Sequence, residues 1–284
     1  MPARLIDGRA HARAIREELK LAVERHPGQR PPGITVIQVG DDLASTTYVR
    51  GKHKAAEEVG FKSAIEHLHD ITRADLNKRI QALANDPAID GILLQMPLPD
   101  GLNPDEAVEQ IPPHKDVDGL HPYNAGRLAQ GNPTFIPATP LGVLELLRRE
   151  GIDPTGRRAV VVGRSRLVGR PLALLLLQNH ATVTIAHSQT VDLASVTRTG
   201  DILIAATGKR GLITGEHVKP GAIVIDVGID RDPETGKLTG DVNRASVELV
   251  AGALTPVPGG VGPMTVAMLL VNTYRAYRQH LGQA

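Results

Sequence analysis

The chain has 284 residues, and at about 150 residues per domain this length suggests two domains. Its 32 basic and 31 acidic side chains give a net charge of +1, so the charge balance favours neither nucleic acid nor a membrane surface as a partner. Zero cysteines exclude disulfides, thiolate metal sites and a cysteine nucleophile, and they fit a reducing compartment. We therefore expect a cytoplasmic protein that binds a small molecule, and we predict no metal site.

Short β-branched runs alternate with helix-period segments along most of the chain, a pattern typical of βαβ units around parallel sheets. Gly60 is placed to end the first of these helices, and Thr72 and Asp75 have the spacing of a capping box. The first set is predicted as strand 33–40, helix 42–59, strand 61–68, helix 72–86 and strand 89–95.

Between residues 111 and 140 the composition shifts to proline, glycine, histidine and asparagine, and such a long irregular segment is usually functional or a linker. We place a domain boundary within it. A helix at 141–151 follows, then a second alternating set, and a closing helix after a Pro/Gly loop. The predicted elements of the second set are 157–163, 171–179, 182–188, 192–198, 201–208 and 222–228.

These patterns predict an α/β protein with two αβα domains and a cleft between them. The first domain is expected to comprise residues 1–122 plus 270–284. The second, residues 123–269, is expected to be a Rossmann-like, doubly wound and mostly parallel sheet.

The stretch "VVVGRSRLVGRP" reads as a strand, a tight turn and a helix, which is the context of a dinucleotide-binding loop. Backbone N–H groups at the start of such a helix, helped by its dipole, receive a pyrophosphate. Gly163 would make the turn, whereas Ser165 stands where the second glycine of the usual fingerprint belongs, and Gly169 is the last glycine. A tight turn without a ligand explains the isolated glycine pair equally well.

The next predicted strand carries information about the cofactor. Folds that bind NAD place a carboxylate about 20 residues after the glycine loop, where it binds the ribose hydroxyls. Here the segment from His187 to Thr190 contains no acid, and a hydroxyl-rich turn near Arg164 suits a ribose phosphate. This favours NADP over NAD, although Arg164 and Arg166 could equally be solvated surface charges.

Tyr48 and Lys52 are four residues apart on a predicted helix, so they share a face, with Ser45 one turn earlier. A phenol beside an ammonium can orient a substrate and tune a proton-transferring amine. An ordinary amphipathic helix, with tyrosine at the rim and lysine reaching water, accounts for the same spacing. Short-chain dehydrogenases use a Tyr-x-x-x-Lys pair, but there the glycine fingerprint precedes the pair, and here it follows.

Six motifs considered together resemble one family, that of the bifunctional methylenetetrahydrofolate dehydrogenase/cyclohydrolases. They stand in the family's order and cover almost the whole chain. The motifs are "YVRGKHKAAEEVGF", "DGILLQMPLP", "KDVDGLHPYNAGRL", "VVVGRSRLVGRP", "IVIDVGI" and "TPVPGGVGPMT".

The resemblance implies two reactions: oxidation of 5,10-methylenetetrahydrofolate with NADP as hydride acceptor, then hydrolysis of the methenyl product to 10-formyltetrahydrofolate. It implies that Lys52 handles the proton of the hydrolysis, Tyr48 stacks on or orients the folate, Gln95 hydrogen-bonds Lys52, and Asp118 grips the pterin. Asp116 is interpreted as a turn or ion-pair residue. The resemblance also implies a homodimer and a role in one-carbon metabolism and purine biosynthesis.

Further residues follow from the same resemblance. The substrate contacts would include Ser45, Gly260 and Pro263 besides the four residues above. The cofactor contacts would be Thr139, Gly163, Arg164, Ser165, Val168, Gly169, His187, Ser188, Gly208, Ile229 and Thr265. Two rival hypotheses remain open: a different NADP-dependent oxidoreductase of the short-chain type, and a non-enzymatic NADP-binding module.

Overall fold

The computed structural model describes residues 2–26, 28–233 and 235–283. The chain forms two compact units. The three-stranded unit comprises Arg13–Ala138 and Val266–Ala284, and the six-stranded unit comprises Met1–Ala12 and Thr139–Thr265. No helix within the described ranges is long and apolar enough to cross a membrane.

The three-stranded unit contains a parallel sheet of order β3-β2-β4. In the sequence, a helix follows each of the strands β2 and β3. Predicted strands and helices of this region are all present, with ends that differ by one or two residues. The helices α1, α4 and α5 had no counterpart among the predicted elements. The elements are α1 (Gly8–Glu24), β2 (Gly33–Val39), α2 (Leu43–Glu58), β3 (Lys62–Leu68), α3 (Arg73–Asn85), β4 (Gly91–Leu94), α4 (Pro104–Glu109), α5 (Pro122–Ala129) and the end of α10 (Val261–His280).

The central strand β2 has all seven residues buried, as expected for a strand that is covered on both faces. Ile37 packs with Ile80 of α3 and Ile92 of β4 in one apolar cluster. Gly60 ends α2 with a φ of 83°, and Thr72 and Asp75 form the predicted capping box at the start of α3. The carboxyl ends of β2 and β4 thus have fixed positions at one edge of the sheet.

The segment after α4 extends this sheet by a short bridge. Asp116 pairs with Ile92 in parallel, and the Ile92 backbone N–H donates to Lys115 O at 2.9 Å. Buried Asn272 of α10 holds the same segment, because its Nδ2 donates to Val117 O at 2.8 Å and to Ile136 O at 2.9 Å. Asp118 is therefore placed beside the carboxyl end of β4.

The six-stranded unit is built on a parallel sheet of order β1-β11-β8-β7-β5-β6, with a small antiparallel pair β10-β9 beside it. Its core joins Val160, Leu203 and Val224 of three central strands. The elements are β1 (Arg4–Leu5), α6 (Ala138–Arg149), β5 (Arg158–Val162), α7 (Gly169–Gln178), β6 (Thr182–Ala186), α8 (Leu193–Thr197), β7 (Ile202–Ala205), β8 (Ile223–Asp226), β9 (Asp230–Arg231), β10 (Leu238–Thr239), α9 (Arg244–Val247) and β11 (Ala253–Leu254).

The bounds of the units differ from the sequence-based domain bounds at three places, one of which is the return to the three-stranded unit at Val266 rather than at residue 270. The first twelve residues lie in the six-stranded unit, because β1 pairs with β11 in a register that matches Arg4 to Ala253. The chain changes unit between Ala138 and Thr139, so α5 lies in the three-stranded unit. A two-residue strand such as β1 gives too short a pattern for sequence periodicity to detect.

Candidate active site

The helix α2 carries Ser45, Tyr48 and Lys52 in the three-stranded unit. Asp42 caps its start, since the Asp42 carboxylate accepts a hydrogen bond from the Ser45 backbone N–H at 2.6 Å. The four-residue spacing puts Tyr48 and Lys52 on one face. Tyr48 is 37% exposed, and partial burial raises the pKa of its phenol, which therefore stays a neutral hydrogen-bond donor. Lys52 is half-buried.

Gln95 lies directly after β4 and holds Lys52. Its backbone N–H donates to Ile37 O at 2.8 Å, which fixes the residue to the edge of the sheet. Its side-chain Nε2 donates to Met96 O at 2.7 Å, and its Oε1 accepts a hydrogen bond from Lys52 Nζ at 2.9 Å. Ser45 is buried, and its Oγ donates to the same Met96 carbonyl at 3.4 Å. The Gln95 amide thus has one orientation, with its oxygen toward the lysine amine.

Asp118 interacts with Lys52 through its negative charge. Burial lowers the pKa of the Lys52 ammonium, and the negative charge of Asp118 opposes that shift in part. Burial likewise raises the pKa of the Asp118 carboxyl, which the charge of Lys52 lowers. A depressed pKa increases the neutral fraction of the amine at any given pH, and only the neutral form can accept a proton.

Asp116 is a structural residue, in agreement with its interpretation as a turn residue. It is 1% exposed, and its carboxylate accepts hydrogen bonds from Leu120 N, His121 N and Asn124 Nδ2 at 2.8–3.1 Å. These bonds fold the backbone that follows Asp118. The structure therefore brings four predicted residues together: Ser45 and Lys52 on α2, Gln95 at the end of β4, and Asp118 on the segment between α4 and α5.

The glycine loop connects β5 to α7 in the six-stranded unit. Gly163 has a φ of 124°, and a Cβ there would lie 2.0 Å from Ala206 O. A Cβ at Gly169 would lie 2.2 Å from Gly163 O, so any larger residue at either position would disrupt the turn. Arg164 and Ser165 are exposed at the tip of the loop, and Val168 is half-buried at the start of α7.

Ser165 has a local role that sequence reasoning did not predict. Its Oγ accepts hydrogen bonds from Val168 N at 3.1 Å and Gly169 N at 3.4 Å, and its carbonyl accepts from Arg170 N at 3.1 Å. The serine in place of the fingerprint's second glycine thus stabilises the turn that leads into α7.

The remaining predicted cofactor residues belong to the same unit, and all but Thr139 in α6 and Thr265 in α10 lie in turns or loops. His187 and Thr190 close the turn after β6, where the His187 backbone N–H donates to Thr190 Oγ1 at 2.8 Å, with Ser188 between them. Thr139 and Thr265 are joined through their hydroxyl groups at 2.9 Å. Ile229 is 46% exposed after β8.

Two predicted substrate residues, Gly260 and Pro263, also belong to the six-stranded unit. Gly260 is buried at the entrance of α10, where a Cβ would lie 2.7 Å from both Pro256 O and the Thr255 side chain. Pro263 is in the first turn of this helix, where the missing N–H costs nothing.

Sequence reasoning missed two buried carboxylates, Asp226 and Asp241. Asp241 Oδ2 accepts hydrogen bonds from Thr207 N and Gly208 N, and so fixes the turn at Gly208, whose φ is 65°. Asp226 accepts hydrogen bonds from three backbone N–H groups, while burial raises the pKa of its carboxyl to about 7. The glycines near them in the sequence are the one feature that points to these acids. A Cβ at Gly228 would collide with the Asp241 carboxylate, and a Cβ at Gly240 would collide with that of Asp226.

Comparisons with known proteins agree with both halves of this description. Residues 6–118 match the model of the tetrahydrofolate dehydrogenase/cyclohydrolase catalytic domain, and residues 137–281 match that family's NAD(P)-binding domain. The chain is 52% identical over 282 residues to the bifunctional protein FolD of Synechococcus sp. strain RCC307, which covers 98% of this chain and 96% of the relative.

Two solved structures are similar over nearly their whole length. The bifunctional FolD methylenetetrahydrofolate dehydrogenase/cyclohydrolase of Campylobacter jejuni has a TM-score of 0.94 and 46% identity, with 98% of this chain and 99% of that one covered. FolD of Trypanosoma brucei, in complex with NADP and an inhibitor, has a TM-score of 0.94 and 41% identity, with 99% of each chain covered.

The matched domains cover most of the chain, in the order that its motifs predicted, and the relatives match it at both the sequence and the fold level. This chain belongs to the tetrahydrofolate dehydrogenase/cyclohydrolase family.

Proposed function

We propose that this chain oxidises 5,10-methylenetetrahydrofolate to the 5,10-methenyl form with NADP, and then hydrolyses that product to 10-formyltetrahydrofolate. Family membership supports the reaction class. The hydrolytic half of the proposal depends on the environment of the Lys52 amine. Burial lowers its pKa, and the charge of Asp118 opposes this shift in part. Its Nζ donates a hydrogen bond to Gln95 Oε1 at 2.9 Å, which fixes its position. A lowered pKa and a fixed position are properties that favour a proton acceptor.

In the hydrolysis, water adds to the methenyl carbon and loses one proton, which leaves a hydroxyl group on that carbon. The hydroxyl then gives up its proton as the bond from the carbon to N5 breaks, N5 gains a proton, and the formyl group stays on N10. Lys52 accepts the proton from the attacking water. Gln95 holds the amine in place through its side-chain oxygen. Tyr48 lines the folate ring, and Ser45 fixes the backbone next to Gln95.

Asp118 serves as the pterin anchor. A carboxylate accepts two parallel hydrogen bonds from a ring N–H and its exocyclic amine, as it does from a guanidinium. Its half-buried position beside β4 supports this role, because a bound pterin would supply donors to a carboxylate that burial otherwise penalises. The same negative charge keeps the Lys52 pKa from falling further.

The residues of the six-stranded unit fit a dinucleotide. Glycines at 163 and 169 permit the tight turn between β5 and α7, because a Cβ at either would meet a backbone oxygen of the protein itself, and the N-terminus of α7 follows this turn. Arg164, which is exposed, would bind the ribose phosphate of NADP together with His187 and Ser188. When bound, NADP supplies the hydride acceptor, and the remaining demand on the protein is to position the folate carbon.

Lys52→Met should separate the two activities. With methylenetetrahydrofolate and NADP, this variant should still form the methenyl compound, which is detected by its near-ultraviolet absorbance, since hydride transfer needs no base. Hydrolysis of added methenyltetrahydrofolate should fall by about 10²–10⁴-fold, the usual contribution of a general base.

Lys54→Met is the matched control, because Lys54 is exposed two residues further along the same helix. It should keep both rates. Undiminished hydrolysis in Lys52→Met would remove the lysine from the proposed mechanism. No methenyl signal from the unchanged protein with either NADP or NAD would refute the proposed function itself.

Asp118→Asn should move the pH dependence of hydrolysis to lower pH. The Asp118 charge raises the Lys52 pKa, so its removal lowers that pKa further and populates the neutral amine at lower pH. The rising limb of kcat against pH, measured at saturating folate and corrected for the uncatalysed rate, should lie below pH 10.4, the ordinary lysine value, and should shift downward in the variant. An upward shift, or none, would contradict the proposed coupling.

Arg164→Ala should raise the KM for NADP by roughly tenfold to a hundredfold, the effect of losing a charge-assisted hydrogen bond, and change the KM for NAD far less. Arg170→Ala, an exposed arginine on α7, is the control and should affect both cofactors little. Equal changes for the two cofactors in Arg164→Ala would take this residue out of phosphate recognition.

We further propose that the protein acts as a homodimer in the cytoplasm and that its formyl product serves purine biosynthesis. The edge strand β6 supports the dimer, since it has a paired neighbour on one side, β5, and carries Ile185 with 43% of its surface exposed. The absence of cysteine supports the reducing compartment. Cell fractionation and a purine requirement after gene loss test the last two statements.

Light scattering should give twice the mass of one chain for the unchanged protein. Ile185→Lys should halve that mass, because a charge on an exposed strand edge opposes pairing with a second copy. Glu57→Lys, an exposed change in the three-stranded unit, is the control and should stay dimeric. A single-chain mass for the unchanged protein at micromolar concentration would rule out the homodimer.

A further inference from the structure

Three side chains with metal-binding atoms meet at the carboxyl ends of β2 and β3. Asp41 follows β2, His67 is near the end of β3, and His69 follows it on the same side of the strand. One donor atom of each residue lies within 4.8 Å of the other two. This site, here called the Asp-His-His cluster, shares no residue with the proposed folate and NADP sites.

The geometry of the Asp-His-His cluster is that of a partial metal shell. The Asp41 carboxylate turns one oxygen to each ring: Oδ1 lies 3.5 Å from His67 Nε2, and Oδ2 lies 3.3 Å from His69 Nδ1. Two donor atoms that bind one tetrahedral zinc ion at its usual bond lengths are about 3.3 Å apart. The two imidazole rings are 4.1 Å apart between centroids.

One backbone contact of the cluster must change when an ion binds. His67 Nε2 donates a hydrogen bond to the Gly40 carbonyl oxygen at 2.8 Å. A metal ion would take the place of this proton, so the imidazole must turn away from the carbonyl when it binds the ion. The register that pairs Gln38 with His67 and Val39 with Leu68 is fixed along the full length of β2 and β3. The histidines are therefore held by a regular sheet, with 35% and 50% of their side chains exposed to an entering ion.

We propose that the Asp-His-His cluster binds a borderline divalent cation of the zinc class through His67 Nε2, His69 Nδ1 and an Asp41 carboxylate oxygen, with solvent completing the shell. Two imidazoles and one carboxylate are ligands that Zn²⁺ prefers, whereas Mg²⁺ and Ca²⁺ select oxygen ligands. The site is open on the solvent side, so it excludes neither a fourth ligand nor exchange of the ion.

A bound ion would link the turn after β2 to the end of β3. The residue that follows Asp41 is Asp42, the N-cap of α2. The ion would thus fix the start of the helix that carries Tyr48 and Lys52. Because the ion binds the native chain, it should raise the melting temperature in proportion to the logarithm of its concentration.

Calorimetric titration of the metal-free, untagged full chain with Zn²⁺ tests this inference. One equivalent per chain should bind saturably. His69→Asn and Asp41→Asn should each weaken binding by at least about tenfold, since even the loss of an outer partner of a ligand costs 10–100-fold. They should also abolish the rise in melting temperature. His26→Asn, an exposed histidine outside the cluster, is the matched control and should bind like the unchanged chain.

Cobalt(II) gives a second, spectroscopic measurement. Its visible absorption reports a tetrahedral nitrogen and oxygen shell, and it should appear with the unchanged chain and disappear with His69→Asn. Binding of Zn²⁺ that is equally tight in both cluster variants, or no saturable binding at all, would overturn the proposal. If His69→Asn does not fold, as circular dichroism would show, Asp41→Asn alone decides the outcome.

Discussion

The hydrogen bond between Lys52 and Gln95 is the contact on which the proposed hydrolytic chemistry depends. It joins a helix to the end of a strand 43 residues further along the chain. A lysine side chain has four rotatable bonds, and holding its amine in one place costs conformational entropy. The Gln95 side chain can meet that need because it is itself fixed, through Met96 O and through the backbone bond to Ile37.

Burial of the amine has two opposed consequences. It lowers the pKa of Lys52, and it raises that of Asp118, so each group would lose its charge if it were alone. Together they retain part of it, because each charge stabilises the other. Asp116, two residues before Asp118, is also a buried carboxylate, but hydrogen bonds rather than a cation stabilise it. Three donors bind its carboxylate. The two acids in "KDVDG" therefore have distinct environments. Asp116 is bound by nearby donors of the chain, and Asp118 is left for a ligand.

Much of the fold could be predicted from the sequence because the relevant signals are local. β-branched runs and helix periodicity gave the strands and helices around Gly60 and Thr72, and Gly163 marked the turn before α7. The pairing of β1 with β11 could not be predicted, since it joins residues nearly 250 positions apart through a strand of two residues. Ser165 was considered as a ligand contact, and its role in stabilising the turn before α7 depends on backbone geometry that spacing does not specify.

The proposed cation site is a further example of information that the sequence holds only in three dimensions. We expected no metal site, and the reasoning on cysteine excluded only thiolate ligands. His67 and His69 are separated by one residue, a spacing that puts both side chains on the same side of a strand. Asp41 comes close to them only through the register of β2 and β3. Similarly, Asp226 and Asp241 each organise turns through backbone donors that no motif reveals.

The contact of Asn272 with the carbonyls of Val117 and Ile136 bears on when the site can form during synthesis of the chain. Domains generally fold as they leave the ribosome, N-terminal part first. Here the Val117 carbonyl, next to Asp118, accepts a hydrogen bond from a residue made 155 codons later. Until the final helix has emerged, the nascent protein holds the lysine and the glutamine, and the neighbouring acid lies on a segment that the bridge from Asp116 to Ile92 holds but that Asn272 does not yet hold.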